Sequence, residues 1–288
     1  MKLARYDNNG IPELGVVRGG VVLSLAGIVD RYPTMLSIVA AGDDALHDIE
    51  AYLASSVSPA SRTLSATRFL APIERPGKYL AIGLNYGKHR DEASRFGVGA
   101  PEYQFWFNKQ TSCISGPFDE IDPGVSTRLD YEVELGVIIG RTAKRVTEEQ
   151  AHRHVFGYVV ANDVTARDWQ IHSPTFTISK SFDTYGPIGP WIVTADEIPD
   201  PHALGLRCFV NGELRQESDT GNLIYNIWQQ IAYLSEAFTL DPGDLLATGT
   251  PEGIGGAMIP PVFLQPGDVV RCEVDGVGVI ENRIARSS

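Results

Sequence analysis

The 288-residue sequence predicts an α+β protein, mainly β, with a small N-terminal α+β domain over 1–70 and a larger β-rich domain over 71–288. Two observations carry this reading. From residue 71 onward, short apolar runs alternate with Gly and Pro punctuation, the pattern of strands joined by turns. The regular strand–helix alternation of a doubly wound sheet is missing. Ahead of that region the Ser-rich stretch SSVSPASRTLS sets a short unit apart and reads as a linker.

In the N-terminal unit, MKLARY and GVVRGGVVLSL are strand candidates. A helix is expected near Asp43 to Ala54, where Leu46, Ile49 and Leu53 recur at helical spacing behind Asp43 as the cap. FLAPIERPGKYL follows, with prolines on either side of a short strand. The larger unit offers KYLAIG, YQFWFNK, YEVELGVIIG, FGYVVAND, GPWIVTA, LRCFVNGEL, DLLATGT and DVVRCEVDGVGVIEN as strands, with Asn211-Gly212 as a hairpin turn. Its helices are YGKHRDEASRF, a segment opening at Thr147 with Gln150 in capping-box spacing, and NIWQQIAYLSEAF.

Charge narrows the partners. Twenty-four Lys and Arg against 36 Asp and Glu leave a formal net charge of −12, with no basic cluster, which argues against nucleic acid or an anionic membrane surface. An anionic substrate would need a local positive site such as a metal. Cys113, Cys208 and Cys272 are scattered, without a CxxC pair, so a disulfide framework or zinc cluster is not expected and a reducing compartment fits. MKLARYDNNG has no apolar signal segment, and no run is long enough to span a bilayer. The expectation is a cytoplasmic protein.

The segment LDYEVELGVIIG sets three acids into an apolar strand. Period two puts Asp130, Glu132 and Glu134 on one face. A solvated face would tolerate them, but GVIIG is apolar on both faces, as in a covered central strand. Asp163 ends another apolar strand, FGYVVAND. Carboxylates from adjacent strands are the oxygen ligands that Mg²⁺, Mn²⁺ or Ca²⁺ prefer. In YGKHRDEASRF, His89 and Glu92 lie at i and i+3, where the carboxylate can orient the imidazole as a general base for water. An exposed polar helix is the plainer alternative. Gly83 and Gly97 bracket this segment, as hinges of a lid or as caps and turns. Lys180, ahead of a Gly/Pro turn, is either solvated or placed to stabilise an enolate. GTPEGIGG is a loop whose N–H groups and Thr250 hydroxyl would cradle a carboxylate, or a surface turn. It matches neither a P-loop nor a dinucleotide fingerprint, and no G-x-S-x-G supports a serine hydrolase.

Taken together, AIGLNYGKHRDE, FWFNKQTSCISGP, LDYEVELGVIIG, GYVVANDVTARDWQ, KSFDTYGPIGPW, GDLLATGTPEGIG and LQPGDVVRCEVDGVG resemble the fumarylacetoacetate hydrolase family over roughly residues 72 to 285. The resemblance implies a mixed β-roll with a β-sandwich core in the C-terminal domain, a variable N-terminal domain and a homodimer. It implies one Mg²⁺ or Mn²⁺ per chain on Glu132, Glu134 and Asp163, a dyad of His89 and Glu92 in a lid, and the family lysine at Lys180. Gln170, Thr250, Tyr86 and Lys109 are the implied substrate contacts. Asp130 matches no metal role and is read as structural, pairing with Arg128 or capping a turn.

The implied substrate is a small 2-oxo or 2,4-dioxo acid that chelates the cation, which acts as a Lewis acid. The expected reaction is C–C hydrolysis of an acylpyruvate to pyruvate and a carboxylic acid through an enolate. Oxaloacetate decarboxylation and oxo-acid hydration or isomerisation are the alternatives on the same site. A non-catalytic metal-binding scaffold would lack one of these residues, and none is lacking.

Overall fold

A computed structural model describes residues 1–55 and 59–286. Of the expected linker, 56–58 lie outside the described residues; its far end is a strand, Ser61–Thr63, and a 3-10 turn, Leu64–Ala66. The fold is mainly β. One mixed sheet runs in the order Ser61–Thr63, Val21–Ser24, Ile11–Arg18, Lys2–Asn8, Gly186–Thr194, Val155–Asn162, Val133–Ile139, Leu245–Ala247, Tyr79–Gly83, Phe105–Lys109. A four-stranded antiparallel sheet, Glu213–Asp219, Gly205–Val210, Val269–Val274 and Gly278–Arg283, packs against the middle of the first. Along the main path all pairings are antiparallel except Leu245–Ala247 with Tyr79–Gly83.

Position in the sheet explains the sequence pattern. Val133–Ile139 is buried at every residue, because strands flank it on both edges and layers cover both faces. That is why VELGVII does not alternate. The outer hairpin strand Glu213–Asp219 is mostly polar and partly exposed, with Asn211 and Gly212 turning the chain at positive φ. Lys2–Asn8 pairs with Gly186–Thr194 through Lys2–Val193 and Leu3–Ile192, so the strands of 1–70 extend the same sheet.

The helices follow their caps. Asn226 and Gln229 form a reciprocal capping box, at 2.9 and 3.0 Å, that starts Ile227–Ala237. Asp43 opens the helix Asp43–Leu53 as its first residue and caps nothing; Gly42 precedes it without a side-chain bond. A further helix, Met35–Ala41, is capped reciprocally by Thr34 and Ser37 at 3.1 Å. Among the described residues no helix is long and apolar enough to cross a membrane.

Candidate metal centre and substrate cavity

Two neighbouring strands deliver the acids. The chain leaves Leu129–Asp130, kinks through Tyr131 and Glu132, and enters Val133–Ile139. Its partner ends at Asn162, and Asp163 follows. Cross-links hold the two ends: Glu132 N–H donates to Asn162 Oδ1 at 3.0 Å, and Asp163 N–H to the Glu132 carbonyl at 2.9 Å. Glu132, Glu134 and Asp163 thus each offer a carboxylate oxygen, all within 4.8 Å of one another, and all three are buried.

Three cations share this centre. Lys180 Nζ lies 2.8 Å from Glu132 and 2.6 Å from Asp163. Arg167 bridges Glu132 at 2.6 Å and Asp130 at 2.8 Å. Lys109 Nζ lies 2.6 Å from Asp163 and also donates to the carbonyls of Lys180 and Tyr185. Burial opposes the charge on Glu132, yet Lys180, Arg167 and His89 pull its carboxyl down to about 2. Burial alone would lower the Lys180 ammonium; the Asp163 and Glu132 carboxylates raise it above its ordinary value.

Glu134 is different. It is 1% exposed, and its hydrogen-bond partner is the Gly249 N–H, at 2.8 Å. Burial, then Asp163 and Glu132, push its carboxyl well above the usual range. Among the described residues it has no ion pair, and nearby Lys180 offsets the upward push only in part. Four buried acids face two buried lysines and the partly buried Arg167, and the acid without an ion pair sits beside two others with the donor set of a hard divalent ion. These residues fit such an ion.

The glycine-rich loop after Leu245–Ala247 organises the surroundings. Its N–H groups cradle carboxylates, as expected, but the protein's own: Gly249 to Glu134, Gly253 to Glu92 at 2.9 Å, and Gly255 and Gly256 to Asp130 at 2.8 and 2.9 Å. Gly253 has φ +97°, and a Cβ there would stand 2.0 Å from the Arg215 carbonyl oxygen, so only glycine fits. Asp130 is structural, with Arg167 as its ion partner. Arg128, the pairing expected from sequence, lies instead over the Phe263 ring at 6.0 Å.

Helix Gly87–Ser94 closes over the centre. His89 Nδ1 lies 3.3 Å from Glu92 Oε2, and His89 is buried. Asn85, fully buried, roots the helix by donating to the carbonyls of Tyr225 and Thr248 at 3.0 and 2.9 Å. Between helix and metal centre lies a cavity of about 780 Å³ whose lining includes His89, Glu92, Glu132, Lys180, Gln170 and Thr250. Phe105, Phe107 and Phe176 form an apolar wall, with Phe176 edge-on to the other two at 5.3 and 6.0 Å. Leu84 and Phe176, both lining residues, hold positive φ of 56° and 59°, conformations that bulky side chains rarely adopt and that cluster at functional sites.

Two of the expected substrate contacts lie off the cavity lining, and a third reaches it with its hydroxyl already bonded. Lys109 is 2% exposed, lies behind Asp163 and has its ammonium fully engaged, so it supports the metal centre from the protein side. Tyr86 is buried outside the cavity lining, its hydroxyl without a protein partner. Thr250 reaches the lining, but its hydroxyl donates to the Val133 carbonyl at 2.9 Å and accepts from Gln216 at 2.8 Å, so no proton remains for a ligand. Gln170 lines the cavity, with Arg167 3.3 Å from its side-chain oxygen. The sequence reading missed Arg167 and Asn85. Arg167 stands four residues after Asp163, and the excess of buried acids was the signal for it.

Comparison with known proteins agrees with this geometry. Residues 78–285 match the family model described as fumarylacetoacetate (FAA) hydrolase C-terminal. The chain is 41% identical to "Oxaloacetate tautomerase fahd2, mitochondrial" of Xenopus laevis, over 99% of this chain and 90% of that protein. Among solved structures, a fumarylacetoacetate hydrolase from Exiguobacterium antarcticum aligns with TM-score 0.86 and 35% identity. Maleylpyruvate hydrolase from Sphingobium sp. SYK-6, in complex with manganese (II) ion and pyruvate, aligns with TM-score 0.84 and 31% identity. Both cover 100% of each chain. The chain belongs to the fumarylacetoacetate hydrolase family.

Proposed function

We propose that this protein is a divalent-metal-dependent hydrolase that cleaves a C–C bond of a 2,4-dioxo acid, releasing pyruvate and a carboxylic acid. The observation that carries it is the His89–Glu92 dyad, with His89 buried, in a cavity whose lining also includes Glu132 and Lys180. A bound Mg²⁺ or Mn²⁺ on Glu132, Glu134 and Asp163 would supply Lewis-acid polarisation of the 2-oxo acid. That a manganese-bound hydrolase with pyruvate shares the fold supports the assignment.

The chain's own groups account for the remaining steps. Glu92 orients His89 through Nδ1, leaving Nε2 to take a proton from water. The water oxygen bonds to the C4 carbonyl carbon, the C3–C4 bond breaks, and its electron pair passes to the C2 carbonyl as an enolate. The Lys180 ammonium, kept charged by two carboxylates, stabilises that negative charge. The proton on His89 returns to C3 to give pyruvate, and C4 leaves as the carboxylic acid.

A second reading is favoured by the Xenopus relative, whose name is that of a tautomerase. Here His89 would only move a proton between C3 and the 2-oxygen: the C3–H bond breaks as the O–H bond forms, with no water added and no C–C bond broken. Following both diketo absorbance and pyruvate release, with Mg²⁺ or Mn²⁺ present, separates the two. Pyruvate equal to the absorbance lost supports hydrolysis of acylpyruvates. An absorbance change on oxaloacetate without pyruvate supports tautomerisation, and pyruvate with CO₂ from oxaloacetate supports decarboxylation.

A further inference from the structure

Of the cations that line the cavity, Arg167 and Lys180 are each paired with two of the buried acids. Arg128 is not. Among the described residues its guanidinium has no carboxylate partner; its contact is the face of Phe263, at 6.0 Å. Its backbone is nonetheless firmly placed. The Arg128 carbonyl accepts from Arg167 N–H at 2.9 Å and its N–H donates to Ser126 Oγ at 3.2 Å. Asp168 in turn fastens Ser126 Oγ at 2.7 Å and Thr127 N–H at 2.9 Å. The neighbouring acids that could neutralise it, Asp130 and Asp168, are both engaged elsewhere.

A fixed backbone, an unpaired guanidinium and an aromatic face beside it make a carboxylate receptor, since Arg binds carboxylates in bidentate fashion and stacks on rings. The chain carries a net charge of −12, so an exposed positive group at the cavity also offsets repulsion of an anionic ligand. Apolar side chains, among them Phe105, Phe107, Phe176 and Ile254, line the same cavity. We infer that Arg128 is the specificity-determining residue for a second, terminal carboxylate, so that the preferred substrate is a 2,4-dioxo acid with acid groups at both ends and apolar carbons between them. This rests on the hydrolase reading for the inner end of the substrate; the receptor at the outer end stands on Arg128 and its surroundings.

The experiment compares two 2,4-dioxo acids of equal length, one ending in a methyl group and one in a carboxylate, on wild type, Arg128→Gln and Arg128→Lys. A charge-assisted hydrogen bond contributes about 1.5–3 kcal/mol, which converts to a KM ratio on the order of 10–100. The expected result is that rise for the diacid in Arg128→Gln, with kcat nearly kept, partial rescue by Arg128→Lys, and a change of less than about twofold for the monoacid. Equal effects on both acids, or none on either, would overturn the inference while leaving hydrolysis intact. In parallel, calorimetry with Mn²⁺ present compares oxalate, which fills only the inner end, with saturated 2-oxo diacids of four to seven carbons. If no dioxo acid is cleaved but Arg128→Gln still weakens a 2-oxo diacid and spares oxalate, the receptor stands and the hydrolase reading falls.

Discussion

Glu92 and Gly253 join two segments 161 residues apart in sequence. One carboxylate oxygen of Glu92 accepts the Gly253 N–H at 2.9 Å while the other faces His89 at 3.3 Å. A single side chain thereby orients the proposed base and fastens its helix to the glycine-rich loop. That loop also receives Asp130 at Gly255 and Gly256, and Asp130 holds Arg167, which holds Glu132. Helix position and metal-ligand position are therefore mechanically linked.

Glu92 variants should separate its two roles. Glu92→Gln keeps an oxygen for Gly253 but loses the negative charge that supports a protonated His89, so kcat should fall by about 10²–10⁴ with KM little changed. Glu92→Ala frees the helix as well, and KM should rise too. Steady-state kinetics on one dioxo acid checks both. Unchanged kcat in Glu92→Gln would remove the dyad from the mechanism.

Lys109→Met should act on stability. It leaves buried Asp163 with Lys180 alone, and losing one partner of a buried ion pair is expected to destabilise by about 3–5 kcal/mol. Urea unfolding followed by circular dichroism measures this. Full stability together with a raised KM would return Lys109 to the substrate contacts.

Asp168 gives a pH prediction. Burial opposes its charge, but the Ser126 hydroxyl and the Thr127 N–H and hydroxyl hold its carboxyl below the usual range. A carboxyl more acidic when folded contributes fully above its unfolded pKa of about 3.9 and loses that contribution as pH falls through its folded value. The loop bearing Arg128 should thus be steady from pH 7 to 5 and loosen below about pH 4. Asp168→Asn should show the loosened loop already at pH 7, as faster exchange of the Thr127 amide. Identical exchange in both proteins would contradict this.

The strands were legible in the sequence because burial imposes period two or a continuous apolar run, as in GLRCFV and VELGVII. So were Glu132, Glu134 and Asp163, since buried carboxylates on adjacent strands demand compensation. The pairing of His89 with Glu92 followed from helical spacing alone. What spacing does not report is direction. Lys109, Tyr86 and Thr250 are polar residues in the right segments, yet each points into protein or has its proton committed to a backbone carbonyl or acid. Arg167 was overlooked because its two acid partners, Asp130 and Glu132, lie 37 and 35 residues earlier, and only the fold brings them together.

The central claim is that Glu134, buried with two other carboxylates and, among the described residues, without an ion pair of its own, marks a divalent-ion site. Titrating Mn²⁺ into chelator-treated protein by calorimetry tests it most directly. The account predicts one ion per chain in the wild type and an affinity at least about 10–100-fold weaker in Glu134→Gln, with the variant still folded. Absence of binding in the wild type, or equal affinity in the two proteins, would contradict it.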